Sequence, residues 1–140
     1  MSVEEENKAR INRIIEEAVN QRNLATVDEI VAPNYVYHDR SKEFIGPEGY
    51  KEMLSIWHTA FPDLHVTITD MVAEGDKVAV FSSSQGTQRG DLFGTPPTHM
   101  QVNVSEVDLV RFENGKQVEG WPLMDRLALW QQLGTSPPNQ

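Results

Sequence analysis

The sequence predicts an α+β fold, with helices packed over one face of a curved antiparallel sheet. Three observations carry this. Apolar residues recur at helical spacing through the first sixty positions, the period drops to two from Leu64 onward, and Gly-containing turns separate the later apolar runs.

Ile11, Ile14, Ile15, Ala18 and Val19 lie between charged residues at helical spacing, which predicts an amphipathic helix over about residues 4–21. "NLATVDEIVAP" continues as a short second helix that Pro33 ends. "NYVYHDRS" is short, aromatic and β-branched, so it reads as a strand or extended edge, with Val36 and His38 on one side and Tyr35 and Tyr37 on the other. Pro47 suits a first helical turn, and Tyr50, Met53, Leu54, Trp57 and Phe61 form one stripe until Pro62, predicting a third helix over about 47–60. Strands follow at Leu64–Ile68, Val78–Val80, Met100–Phe112 and Val118–Leu123. "AEGDK" and "ENGK" supply hairpin turns, and "RGDLFGTPPTH" makes a longer loop. "DRLALWQQLG" closes the chain as a helix with Gly at its end, before the tail "TSPPNQ". No repeat or linker divides the chain, so one domain is expected over 1–140, with its core at about 4–134 and a frayed tail at 135–140. A sheet folded over helices has a closed end and an open one, and a small ligand would sit in that mouth.

Composition narrows the function. There are no cysteines, which excludes disulfides, thiolate zinc sites and cysteine nucleophiles. A formal charge of −9 opposes nucleic acids and anionic lipid as partners. The acidic start "MSVEEENKARINRII" lacks the pattern of a signal peptide, and no apolar run has membrane-spanning length, so a soluble, cytoplasmic protein is expected.

Three acids interrupt the last hairpin, "EVDLVRFENGKQVEGWPLMD". Glu106 and Asp108 fall on the strand face of Val102, Val104, Val110 and Phe112, where a carboxyl group is disfavoured unless it has a partner or a task. Arg111 or His38 would serve as a structural partner for Asp108, and a ligand would be the alternative; Glu106 reads more simply as the wet end of the strand. Asp125 has two readings that can hold together. It directly precedes the closing helix and suits an N-cap, and it follows Trp121 and Leu123 at every second position, so it could face the same apolar space. His38 reads first as a structural strand residue, gaining a chemical role only where it meets Asp108 or Asp125. The Tyr50–Phe61 stripe is ordinary helix core that can also form a pocket wall. His58, His65 and His99 show no paired spacing and there is no HExxH pattern, so no metal is expected; a GxSxG elbow and a phosphate loop are also missing.

"GPEGYKEMLSIWHTAFPDLHVTITDMVAEGDKVAV", "GTQRGDLFGTPPT" and "DLVRFENGKQVEGWPLMDRLALWQQLG" together resemble the SnoaL-like polyketide cyclases, also called ester cyclases, of the nuclear transport factor 2-like superfamily. The resemblance runs from about residue 24 to 134. It implies an α+β cone, dimeric through its sheet, with an apolar cavity under the helices. It also implies an Asp near the end of the last strand acting as general acid/base in an intramolecular aldol condensation without metal or cofactor. Asp125 matches that position. The related ketosteroid isomerases place a base where His38 stands and an oxyanion-holding acid where Asp108 stands. Three positions depart from the family pattern: Gly120 and Gln88 each replace a His, and Ser82 replaces a frequent Trp.

The expected function is therefore binding of a small apolar, cyclic or polyketide-like molecule, with cofactor-free aldol-type cyclisation or enolisation. Asp125 would exchange protons with a carbonyl compound, while His38 and Asp108 orient it or share the proton. Met53, Leu54, Trp57, Phe61, Val104, Glu106 and Trp121 would line the space. The alternatives are a non-catalytic binding or dimerisation module and an isomerase, dehydratase or epoxide hydrolase on the same fold.

Overall fold

The computed structural model describes residues 1–40 and 42–138. Ser2 opens α1 (Val3–Arg13) by accepting a hydrogen bond from the Glu5 N–H at 3.1 Å, and Glu4, Glu5 and Glu6 place negative charge at the positive end of the helix. The chain continues without a break into a π-helical stretch, Ile14–Asn20. The expected helix at 4–21 is thus present, but its hydrogen bonding widens midway. Apolar spacing does not separate the two ladders over so few turns. Asn20, at the end of the stretch, holds the Val66 backbone from both sides, donating to its carbonyl at 2.9 Å and accepting from its N–H at 2.8 Å.

The short α2 (Ala25–Ile30) ends before Pro33, which was expected to terminate it. Pro33 instead lies inside β1 (Val31–His38), where the pairing register with a neighbouring strand shifts between Val31 and Val36. A residue without an N–H is tolerated at such a break in the ladder. A three-residue strand not expected from the sequence, β2 (Glu43–Ile45), pairs with β1 and leads into α3 (Gly46–Ala60). Four long strands follow: β3 (His65–Glu74), β4 (Lys77–Thr87), β5 (Gln101–Glu113) and β6 (Lys116–Met124). The closing α4 (Arg126–Leu133) is capped by Asp125 at its start and by left-handed Gly134 at its end. Of the tail expected to fray, residues 135–138 carry no helix or strand, and 139–140 lie outside the described residues. So does Ser41, the last residue of the "NYVYHDRS" segment.

The six strands form one sheet in the order β2-β1-β6-β5-β4-β3. All neighbours are antiparallel except β1 and β6, which run parallel, so the antiparallel pattern holds for the hairpin strands and breaks at the strand nearest the helices in sequence. One face packs against α1, the π-helical stretch and α3. The opposite face stays open and carries Phe81, Leu109 and Leu123, the last 75% exposed.

Which face each β6 residue occupies depends on a bulge. Phe112 pairs with Gln117 and Arg111 with Glu119, leaving Val118 as an extra residue on β6. Beyond the bulge, Gly120 faces inward opposite Val110 and Pro122 opposite Asp108, while Trp121 and Leu123 face outward opposite Leu109 and Val107. The expectation that Trp121 and Leu123 mark the inner face is therefore corrected. Both faces of β6 carry apolar residues, and alternation alone does not say which is buried.

Candidate active site

Between the helices and the inner sheet face lies a cavity of about 110 Å³. That is the scale of an engineered protein cavity known to accept a benzene ring. Ile11, Ile14, Ile15 and Val19 roof one side, the α3 stripe Tyr50, Met53, Leu54, Trp57 with the adjoining Phe61 forms another, and β4, β5, β6 and β1 provide the floor. Most of the lining is apolar, and among the described residues no Lys, Arg or His belongs to it.

Two carboxyl groups interrupt this surface. Glu106 and Asp108 both line the cavity, because the pairing of β5 with β4 sets them on the same face as Val104 and Val110. The Asp108 Oδ1 atom is buried and has no hydrogen-bond partner among the described residues. Burial, and after it the charge on neighbouring Glu106, raises the Asp108 pKa well above the usual carboxylate range. Burial thus favours the protonated form of Asp108, the form with a proton to donate, over the carboxylate.

Tyr35, Tyr37 and Tyr50 surround the same space. Burial raises all three phenol pKa values, and the nearby charge of Asp108 adds to each. They remain neutral donors. Tyr35 owes its position to a missing side chain: a Cβ on Gly120 would lie 2.5 Å from the Tyr35 hydroxyl, so glycine there leaves room for that group. Tyr35 itself is 1% exposed and packs against both Tyr37 and Tyr50.

The structure brings together Asp108, Glu106, Met53, Leu54, Trp57, Phe61 and Val104 of the expected site. Three expected residues lie elsewhere. Asp125 is exposed and accepts from the Ala128 N–H at 3.1 Å as the α4 N-cap, so its capping reading describes the structure and Met124 takes the last inward position of β6. His38 lies on the outer face, its ring nitrogens 3.1 Å from Glu43 and 2.9 Å from Glu119, and its ring stacked on Trp121. Trp121 is accordingly an outer-face residue as well. The physical cause is shared: β1 presents Tyr35 and Tyr37 inward, which turns Val36 and His38 outward. The arrangement of "NYVYH" into two faces was legible, but two bulky tyrosines against Val and His gave no firm signal of which face closes the core.

Gln88 is fully buried yet does not line the cavity. Its amide donates to the Gly90, Thr95 and Pro96 carbonyls, and its carbonyl accepts from the Thr98 N–H and hydroxyl, so it organises the β4–β5 loop. Gly120 and Ser82, the other two departures, do face the cavity. Among the described residues, no cluster of three His, Cys, Asp or Glu side chains is placed to hold a metal ion, and no helix is long and apolar enough to cross a membrane.

The family model for SnoaL-like polyketide cyclases matches residues 9–133. The chain belongs to that family. Its structure is similar to that of a proposed SnoaL-like polyketide cyclase from Jannaschia sp. CCS1, with a TM-score of 0.89 and 24% identity over 98% of this chain and 97% of the other, which is a likeness of fold. AclR from Streptomyces galilaeus, a proposed hydroxylase, is 28% identical with a TM-score of 0.82, covering 96% of this chain and 99% of its own. IdmH from Streptomyces antibioticus, a proposed polyketide cyclase, is 27% identical with a TM-score of 0.79, covering 92% of this chain and 99% of its own. No protein of curated function matches the chain in sequence. In this SnoaL-like chain, then, the acids that reach the cavity floor, Glu106 and Asp108, stand on β5, and Asp125 at the end of β6 does not.

Proposed function

We propose that the protein binds a small, uncharged carbonyl compound in this cavity and carries out cofactor-free acid/base chemistry on it, enolisation followed by intramolecular aldol closure. The observation that supports this best is the Asp108 carboxyl, buried in an apolar space with one oxygen unpartnered. A buried acid with one oxygen left without a partner suits a ligand oxygen. Among the described residues no cationic side chain lines the cavity, which disfavours an anionic ligand.

Glu106 lies two residues along β5 on the same face, its carboxyl close enough to hydrogen-bond that of Asp108, and can serve as base while Asp108 serves as acid. The Glu106 carboxylate takes a proton from the carbon beside the carbonyl. The C–H electron pair becomes the enol double bond, and the oxygen receives the Asp108 proton, with Tyr35 positioned to add a second donor. The enol carbon then attacks a second carbonyl of the same molecule. One C–C bond forms, the second C=O π bond opens, its oxygen takes the proton held by Glu106, and the enol O–H proton returns to Asp108. Both carboxyl groups end as they began. Trp57 and Phe61 exclude water from the enol. The same reading carries a homodimer through the open outer face and a cytoplasmic setting.

The test is α-hydrogen exchange into D₂O, followed by NMR on cyclohexanone and 2-cyclohexenone. Wild-type protein should accelerate exchange, Asp108→Asn and Glu106→Gln should each lose about a hundredfold or more, and Asp125→Asn should stay within about twofold. Loss in Asp125→Asn with retention in Asp108→Asn would end this assignment. A second reading, binding of the same class of molecule without turnover, draws on the cavity's small size of about 110 Å³. It is distinguished by tight ketone binding without exchange.

A further inference from the structure

The β4–β5 loop contains a turn whose sequence does not suit its geometry. Leu92 and Thr95 pair in both directions, Leu92 N–H to the Thr95 carbonyl at 3.0 Å and the reverse at 2.9 Å. The two residues between them both have positive φ, +50° for Phe93 and +86° for Gly94. This is the pattern of a type I′ turn, whose first central position favours Asn, Asp or Gly. A bulky residue is disfavoured there, and Asp91, which accepts from the Gly94 N–H at 2.9 Å, supports the turn around it.

The Phe93 ring has one aromatic contact. It remains 40% exposed and stands edge-on to Trp57, with centroids 5.8 Å apart and planes at 86°. Trp57 also packs nearly parallel to Phe61, at 6.3 Å and 18°. The indole is therefore held between Phe61 on the inside and Phe93 on the outside. Of the five aromatic side chains lining the cavity, Tyr35, Tyr37, Tyr50 and Phe61 are buried and Trp57 alone is partly exposed. Trp57 is thus one of the cavity-lining residues that also reach solvent, with Leu64, Val66 and Met124 partly exposed and Gln85 exposed elsewhere on the lining.

The loop is also fixed to the helix that carries Trp57. Arg89 and Gly90 N–H groups both donate to the Ala60 carbonyl at the end of α3, and Leu92 is fully buried against the neighbouring core. A Cβ on Gly90 would lie 2.1 Å from the Thr59 carbonyl oxygen, so only glycine permits this approach. With its root anchored in this way, the turn has a defined position, and Phe93 projects from it onto Trp57.

We infer that Phe93 is a latch and Trp57 the gate it holds, so that the pair sets the size of ligand the cavity admits and the rate at which it does so. This rests on the cavity being the binding site proposed above. A strained turn residue persists where surrounding structure requires it, and such positions concentrate at clamps and switches. With the latch closed, the space suits a single ring. A fused bicyclic molecule requires Trp57 to swing outward, which breaks the Phe93 contact.

Two variants separate latching from loop stability. Phe93→Asn gives the turn its favoured Asn-Gly pair while removing the ring, and Phe93→Ala removes the ring without that compensation. In the ligand-free protein, NMR relaxation of the three Trp indole N–H groups should show increased motion at Trp57 in both variants, with Trp121 and Trp130 unchanged. Stopped-flow binding of cyclohexanone and 1-tetralone should show association and dissociation at least fivefold faster in both variants. The preference should shift toward 1-tetralone by tenfold or more. Unchanged Trp57 motion, or rates and ring preference within twofold of wild type in Phe93→Asn, would overturn the latch. An effect seen in Phe93→Ala alone would also overturn it, because it would then reflect loosening of the turn. Mobilised Trp57 with no ketone binding in any form would leave the latch standing and remove the carbonyl assignment.

Discussion

Replacing Asp108 with Asn should make the protein more stable as pH rises. In the folded chain burial and the Glu106 charge hold the Asp108 pKa well above its unfolded value, near 4. Below that unfolded value both states carry the proton and pH has no effect through this group. Between the unfolded and folded values the native state keeps a proton that the unfolded state has lost. Unfolding therefore releases a proton, and stability falls with rising pH by up to about 1.4 kcal/mol per unit. Above the folded value the loss is complete and constant. A chain of 140 residues has an unfolding entropy of about 0.3 kcal/mol/K, so this slope corresponds to about 5 °C in melting temperature per pH unit. The assay is thermal unfolding of wild type and Asp108→Asn by circular dichroism between pH 4 and 8. The difference curve should climb in the variant's favour from about pH 4, and Glu106→Gln, which removes the second cause of the shift, should end the climb at lower pH. Melting curves separated by a constant offset across the range would refute the reasoning, because they would mean that Asp108 titrates alike in both states.

Other substitutions test the surrounding structure. Gln88→Ala would leave the Gly90, Thr95 and Pro96 carbonyls and the Thr98 N–H without their side-chain partner, and should cost about 3 kcal/mol in urea unfolding. A loss below about 1 kcal/mol would contradict its role as organiser of the loop. Gly120→Ala would place a methyl group 2.5 Å from the Tyr35 hydroxyl, and should cost about 1–3 kcal/mol and weaken ketone binding measured by calorimetry. Asp125→Ala should cost about 1 kcal/mol through loss of the α4 cap, read by urea unfolding.

Much of this arrangement was legible in the residues. The stripe from Tyr50 to Phe61 marked one helical face, although its spacing alone did not separate helix core from pocket wall. Glu106 and Asp108 stood out because Val102, Val104, Val110 and Phe112 fixed their side of β5. Asp125 was harder, since one residue can cap a helix and continue a strand face at once, and the sequence offers both signals. The bulge at Val118 and the apolar residues on both sides of β6 then concealed that Trp121 and Leu123 point outward. His38 followed the same logic on β1, where the inward tyrosines could be known only from what packs on them. The role of Gly120 was hidden for a different reason: it depends on a close approach between β6 and the Tyr35 side chain, which no local pattern records. Phe93 looked like one more loop residue until its positive φ and its contact with Trp57 were seen together.

The most direct test of the central claim is a carboxyl-carbon NMR titration of Asp108, with Asp108→Asn used to assign the resonance. A midpoint well above the usual carboxylate range is expected, and would establish a neutral acid facing the cavity. A midpoint at or below about 4 would contradict it, because an ionised Asp108 has no proton to give a ligand oxygen.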